Sequence, residues 1–208
     1  MMDSKNVDTS VKDRRLVQKR REQMIKAGVK LFTDKGFHRT TTREIAREAG
    51  FSIGTLYEYI RSKEDVLYLV CDDIYTRVKQ GLEKQIDFSG DPWSALRQAI
   101  QNYIYVIDEL QDEVLVMYQE TKSLSKEALP YVLNKEREMA VIFENILKRC
   151  VDLGVLHIDQ EWRAFHAQQI LVQCQMWTFR RWAVQTQFTL EQFATKQVHS
   201  LLQSIKPA

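Results

Sequence analysis

Apolar residues recur three or four positions apart along most of the chain, and no stretch shows the two-residue alternation of a β-strand. The pattern predicts an all-α protein of about nine helices. An early run, Ile25–Phe32, ends at Lys35-Gly36-Phe37. Two short helices follow. Thr41 caps the first, with Glu44 at the reciprocal capping-box position and Gly50 as its stop. Ser52 caps the second, in which Leu56 faces the core while Thr55, Tyr57 and Tyr59 keep polar tips. Ser62 and Asp65 form another capping box for a long helix with the stripe Leu67, Val70, Cys71, Ile74, Val78 and Leu82. After a break over Asp87–Pro92, Asp91 caps a helix with Pro92 in its first position, carrying Trp93, Leu96, Ile100, Tyr103, Ile104 and Ile107. Further helices are expected over Asp112–Thr121, over Ser125–Asp152 with Gly154 as its stop, and over Asp159–Val184. A last helix follows a Thr189/Gln192 capping box.

Helix, glycine-containing turn, helix is the helix-turn-helix pattern, whose second helix fits a DNA major groove. Residues Met24 to Leu69 resemble the DNA-binding domain of the TetR/AcrR family of bacterial repressors. The resemblance rests on Ile25–Phe32 with Lys35-Gly36-Phe37, Thr40–Thr42, Ile45-Ala46, Ala49-Gly50, Gly54-Thr55-Leu56-Tyr57, Tyr59 and Ser62-Lys63-Glu64. Two positions depart from it: Ile60, where the family more often has Phe, and Phe51, where Val is common. The expected organisation is a basic tail over residues 1–15, a three-helix DNA-binding domain over 16–66, and a helical effector-binding and dimerisation domain over 67–208.

Charge sharpens this picture. The net charge is +2, yet residues 1–65 hold 15 Lys/Arg against 10 Asp/Glu, and the rest of the chain is net acidic. Arg14, Arg15, Lys19, Arg20, Arg21, Lys26 and Lys30 cluster before and within the first helix, where cations near phosphates would give salt-dependent affinity. Thr42 and Arg43 start the second helix, where free amides favour a phosphate. Ser52, Ile53, Gly54 and Thr55 form the first turn of the recognition helix, with Gly54 allowing close approach and Ile53 or Thr55 able to meet a thymine methyl. Tyr57, Tyr59 and Lys63 are expected on phosphates, as the resemblance also implies. No Arg, Asn or Gln opens that helix, so DNA shape or Arg43 is expected to share in specificity.

The chain is long enough to bury a core without disulfides. Three cysteines without ligand spacing, Cys71, Cys150 and Cys174, are expected as reduced, buried thiols of a cytoplasmic protein. The polar start lacks the apolar core of a signal peptide, and no run approaches the ~20 apolar residues of a membrane span. Ser123-Leu-Ser-Lys126 matches a Ser-x-x-Lys motif, but its companions Ser-Asp-Asn and Lys-Thr-Gly are missing. His38, His157, His166 and His199 are dispersed, and neither His-Glu-x-x-His, Cys-x-x-Cys nor a glycine-rich phosphate loop occurs. No catalytic residue, metal or cofactor is expected, and the chain is not expected to be an enzyme.

The Asp159–Val184 segment is apolar on two sides: Phe165, Val172, Met176, Phe179 and Ala183 on one, Ile170, Cys174, Trp177 and Val184 on the other. The final helix has a broad stripe of Leu190, Phe193, Ala194, Val198, Leu201, Leu202 and Ile205. Both are therefore expected to pair with their copies in a homodimer, as the resemblance implies, on a near-palindromic DNA operator. The resemblance further implies a small-molecule effector between the middle helices that releases the DNA through the fourth helix. Trp93, Tyr103, Ile107, Met117, Tyr118, Phe143, Ile146, Gln173 and Trp177 are the candidate lining, favouring a hydrophobic ligand. The tail Trp177-Thr-Phe-Arg-Arg-Trp182 resembles members that respond to fatty acyl-coenzyme A, with drug-like compounds as the rival class. The alternative is an architectural, nucleoid-associated DNA-binding protein of the same fold with no effector.

Overall fold

The computed structural model describes residues 9, 12–86 and 90–205. Most of the expected basic tail and part of the break at 87–92 lie outside those residues. Among the described residues there are ten α-helices and no strand: α1 (Arg14–Lys35), α2 (Thr42–Glu48), α3 (Ile53–Tyr57), α4 (Lys63–Gln85), α5 (Pro92–Glu109), α6 (Gln111–Glu120), α7 (Leu129–Asp152), α8 (Gln160–Phe179), α9 (Arg181–Val184) and α10 (Leu190–Ile205). A single 3₁₀ turn, Thr121–Ser123, follows α6. The chain forms two compact units. The first holds the described residues up to Ile74 together with Asp112–Asn134, and the second holds Tyr75–Gln111 and the chain from Lys135 onward. The compact units thus do not divide at residue 66/67: the start of α4, most of α6 and the start of α7 group with the helix-turn-helix.

In the first unit, Met24, Ile45, Leu56, Ile60 and Leu67 are wholly buried. Helix α1 packs on α2, and α2 on α3. α1 ends at Gly36, whose φ of +86° suits a residue without Cβ. Thr40, buried beside it, donates its hydroxyl to the Gly36 carbonyl at 3.0 Å. α1 and α4 approach so closely at Gly28 that a Cβ there would lie 2.5 Å from Val66 Cγ1. Tyr131 of α7 donates to Asp72 Oδ1 of α4 at 2.7 Å, with its ring 5.0 Å from Tyr68.

In the second unit α5 packs on α8 and α10. Asp91 caps α5 by accepting from the Ser94 amide at 2.8 Å, with Pro92 at the helix start, as the sequence predicts. Gly154, at φ +71°, ends α7, and the Val155 amide returns to the Cys150 carbonyl at 2.8 Å. Cys71, Cys150 and Cys174 are free and buried. Burial lifts the Cys150 thiol to about 11 and raises that of Cys174 further.

Two expectations change. The helix predicted to run to Val184 breaks at Arg180 (φ −116°, ψ 27°), leaving α9 as a separate turn. Gln185 explains how the break is tolerated: its Nε2 donates to the freed Trp177 carbonyl at 3.2 Å. The second change concerns the two apolar surfaces. On α8, Ile170, Cys174 and Trp177 are buried while Trp162, Phe165, Val172 and Met176 stay exposed, Val172 at 59 %. On α10, by contrast, Phe193, Ala194, Val198, Leu201, Leu202 and Ile205 are all buried within the unit. Its exposed positions are polar: Glu191, Gln192, Thr195, Lys196, His199, Ser200, Gln203 and Ser204. Only α8 therefore keeps an uncovered apolar row.

Candidate nucleic-acid interface

Helices of seven and five residues do not persist alone, so their ends carry the structural burden. At the start of α2 the Thr41 amide donates to Glu44 Oε2 at 2.9 Å and the Glu44 amide donates to Thr41 Oγ1 at 3.3 Å, completing the predicted capping box. Lys35 at the end of α1 reaches the same carboxylate at 2.5 Å. The Lys35 hydrogen bond, then those from Thr41, pull the Glu44 carboxyl down to about 2. α2 ends in a glycine turn in which Gly50 has φ +76°. There the Phe51 amide bonds the Ala46 carbonyl at 2.8 Å and the Gly50 amide bonds Arg47 at 3.2 Å. Ser52 then caps α3 by accepting from the Thr55 amide at 3.0 Å. Each helix end is thus fixed by a residue within a few positions of it.

Leu56 anchors α3 in the core, leaving Ser52 and Gly54 exposed and Ile53 and Thr55 half-buried. Tyr57 is 53 % exposed, and its hydroxyl lies 3.1 Å from Thr42 Oγ1, so the start of α2 and the end of α3 share one polar surface. Arg43 is exposed, with no partner among the described residues. So is Arg47, one turn later on the same side of α2, which the motif pattern did not single out. Gly54 is informative because the fold does not require it. Its φ is not positive, and a Cβ there would meet nothing closer than Ser52 Oγ at 3.7 Å.

Two of the expected phosphate ligands are engaged within the fold. Tyr59 is only 2 % exposed, and its ring belongs to the core. Lys63 sits 4.5 Å over the Phe37 ring and donates to the carbonyls of Phe37 and His38 at 2.8 and 3.1 Å. It holds the turn after α1 to the start of α4. Phe51, the departure noted from sequence, is half-buried with the Arg20 guanidinium 4.7 Å from its ring. A valine could not offer that π face.

The candidate effector residues divide between the units. Tyr103, Ile107, Phe143, Ile146 and Trp177 are buried in the second, where Trp93 and Gln173 are half-buried. Met117, buried, and Tyr118, 67 % exposed, belong to the first. In the second unit several polar side chains are paired with one another. Trp177 Nε1 donates to Asp108 at 2.6 Å, Gln175 to the Tyr103 hydroxyl at 2.9 Å, and Gln197 to Gln173 at 2.8 Å. Among the described residues no group of three or more His, Cys, Asp or Glu could hold a metal ion, and no helix is long and apolar enough to cross a membrane.

Comparison with known proteins agrees with this geometry. Residues 24–68 match the family described as bacterial regulatory proteins, tetR family, and residues 89–180 match a tetracyclin repressor-like C-terminal domain. The chain is 30 % identical over 193 residues to the HTH-type transcriptional regulator HbdR of Aromatoleum sp. (strain CIB), covering 93 % of this chain and 83 % of that protein. Its fold is similar to a tetR-family regulatory protein from Rhodococcus RHA1, with TM-score 0.81, 22 % identity, and 91 % and 98 % of the two chains covered. It is also similar to AibR in complex with isovaleryl coenzyme A and operator DNA, with TM-score 0.72, 18 % identity, and 91 % and 100 % covered.

The depressed Glu44 carboxyl sets a pH dependence. A group whose pKa falls on folding stabilises above its ordinary value of 4.5, and that contribution is lost as pH drops through about 2. Glu44→Ala should therefore lower the thermal midpoint at pH 7 by about 2–4 °C. The gap should close progressively between pH 4.5 and 2. A gap that stays constant across that range in thermal denaturation would show that the carboxylate is not the source.

Proposed function

The chain belongs to the TetR family of bacterial regulatory proteins, and on that premise we propose a cytoplasmic, dimeric repressor that leaves a near-palindromic DNA operator when a small hydrophobic or acyl-coenzyme A-like molecule binds. Transcriptional regulation itself follows from the family. In the proposal, residues 16–66 bind DNA and 67–208 bind the effector and the second subunit, with no cofactor.

The exposed, unneeded glycine in α3 carries the DNA part of the reading. Glycine costs a helix about 0.5–1 kcal/mol against alanine. At position 54 nothing inside the protein offsets that cost, because the space for a methyl group is open. A duplex pressed against the first turn of α3 would account for it. Ser52, Ile53 and Thr55 then face base edges. Thr42 and Arg43 at the start of α2 take a phosphate, Arg47 takes another, and the Tyr57 hydroxyl, steered by Thr42, takes a third.

The exposed row Trp162, Phe165, Val172 and Met176 supports the dimer. These residues, three, seven and four positions apart, share one side of α8, where large apolar groups left in water would lose about 25 cal/mol for each Å² that a partner could cover. A second copy of α8 covers the row, and the polar outer side of α10 flanks it. Twofold pairing would set the two recognition helices ~34–36 Å apart, one DNA turn. The candidate effector residues Tyr103, Ile107, Phe143 and Ile146 are buried and largely apolar, which fits a hydrophobic effector. The isovaleryl coenzyme A bound by AibR supports the acyl-thioester class.

Gly54→Ala should keep or raise the melting temperature while weakening binding to a duplex selected by the wild-type protein by about tenfold or more. Unchanged binding in fluorescence titration would remove α3 from the interface. Val172→Asp should leave the helical circular-dichroism signal intact and convert the protein from dimer to monomer in analytical ultracentrifugation; a persistent dimer would place the contact elsewhere. In a thermal-shift screen of acyl-coenzyme A thioesters and hydrophobic drugs, a true effector at 100 times its Kd adds about 2.7 kcal/mol. It should raise the midpoint by about 5–10 °C and release the duplex. If members of neither class do so, the effector-free architectural reading takes its place.

A further inference from the structure

The charges at the start of α1 run against the local preference of a helix. Its N-terminus is the positive end of the dipole, where acidic side chains stabilise and cations do not. The first turn of α1 nevertheless contains no acid and begins with Arg14 and Arg15. Residues 12–20 hold Lys12, Arg14, Arg15, Lys19 and Arg20 against the single acid Asp13. Asp13 is occupied as the cap, accepting the amides of Arg15 at 2.9 Å and Leu16 at 3.2 Å. Lys12, Arg14, Arg15 and Lys19 are exposed, and among the described residues none of their side chains has a hydrogen bond or ion pair.

Two contacts within the first unit fasten this charged stretch to the helix-turn-helix. Thr9 donates its hydroxyl to the Glu58 carbonyl at 2.9 Å, at the C-terminal end of α3. Arg20 lies over Phe51, in the turn that leads into α3. Thr9 and Arg20, which flank these cations in the sequence, thus meet the C-terminal end of α3 and the turn leading into it. We propose that Lys12, Arg14, Arg15 and Lys19 form a basic shelf beside α3 that binds backbone phosphates bordering the groove that α3 enters. The proposal rests on the reading of α3 as the recognition helix and extends its footprint. Exposed cations with no internal partner, repelling one another at the positive end of a dipole, gain most from a polyanion that releases counterions on binding.

The test is the salt dependence of binding to a duplex recovered by the wild-type protein from a randomised pool. Each lost phosphate contact flattens the slope of log K against log salt by roughly 0.9. The variant Arg14→Ala/Arg15→Ala should therefore lose about 1.8 from the slope per bound protomer and bind about tenfold or more weakly at low salt. It should weaken specific and unrelated duplexes alike, because phosphates carry no sequence. Thr9→Val, which removes only the fastening hydroxyl, should weaken binding with the four cations intact. An unchanged slope for the double variant, with Gly54→Ala still impaired, would overturn the shelf and leave the recognition helix standing. If Gly54→Ala is also unimpaired, the DNA surface as a whole is wrong. If the double variant keeps its DNA slope but loses adhesion to phosphatidylglycerol vesicles, the shelf belongs to a membrane surface and the proposal falls.

Discussion

A helix of five residues cannot hold itself up in water, because nearly all its backbone groups are end groups. Everything proposed for this protein depends on how α3 escapes that limit. Ser52 takes the Thr55 amide, the Gly50 turn closes α2 immediately before it, and Leu56 pins it to the core. With these in place, the first turn of α3 is presented without needing a long scaffold of its own. The Thr41–Glu44 box and Lys35 do the same for α2, and Lys63 ties the preceding turn to α4. Both short helices thus have their ends satisfied from within the unit.

What could be read from the sequence follows the distance over which each interaction acts. The capping residues Thr41, Ser52, Asp91 and Thr189 were legible because each bonds a backbone group three positions away. Gly36, Gly50 and Gly154 were legible as stops for the same reason, and all three have positive φ. The internal engagement of Tyr59 and Lys63 was not legible because their partners are remote. Lys63 meets carbonyls 25 and 26 residues away, and the burial of Tyr59 depends on how the whole unit closes. The break at Arg180 carries no proline or glycine to announce it. The burial of the α10 stripe within its own unit was not legible, because a broad apolar stripe can be covered by two neighbours in one chain, here α5 and α8, as well as by a second subunit.

Residues the fold does not ask for say most about what lies outside it. Gly54 gives up helix propensity with open space around it, and Arg14 and Arg15 stand at the wrong end of a dipole. Trp162, Phe165, Val172 and Met176 leave apolar area in water. Each is unfavourable for an isolated chain, and each becomes favourable against a particular kind of surface: a groove, a row of phosphates, a matching helix. By contrast, Gly28 and Gly81 are required from within, since a Cβ would collide with Val66 or Val106. The same residue type is thus required by packing in one place and not in another, and the neighbouring atoms tell which.

The buried thiols set a limit on what this regulator can sense. Nucleophilic attack on peroxide or a disulfide needs a thiolate, and burial keeps Cys150 and Cys174 protonated far above neutral pH. Cys71, on α4, is equally shut away from solvent. In the folded state Cys150 and Cys174 are held as buried, protonated thiols, so a signal that reaches this protein through them must first open the fold.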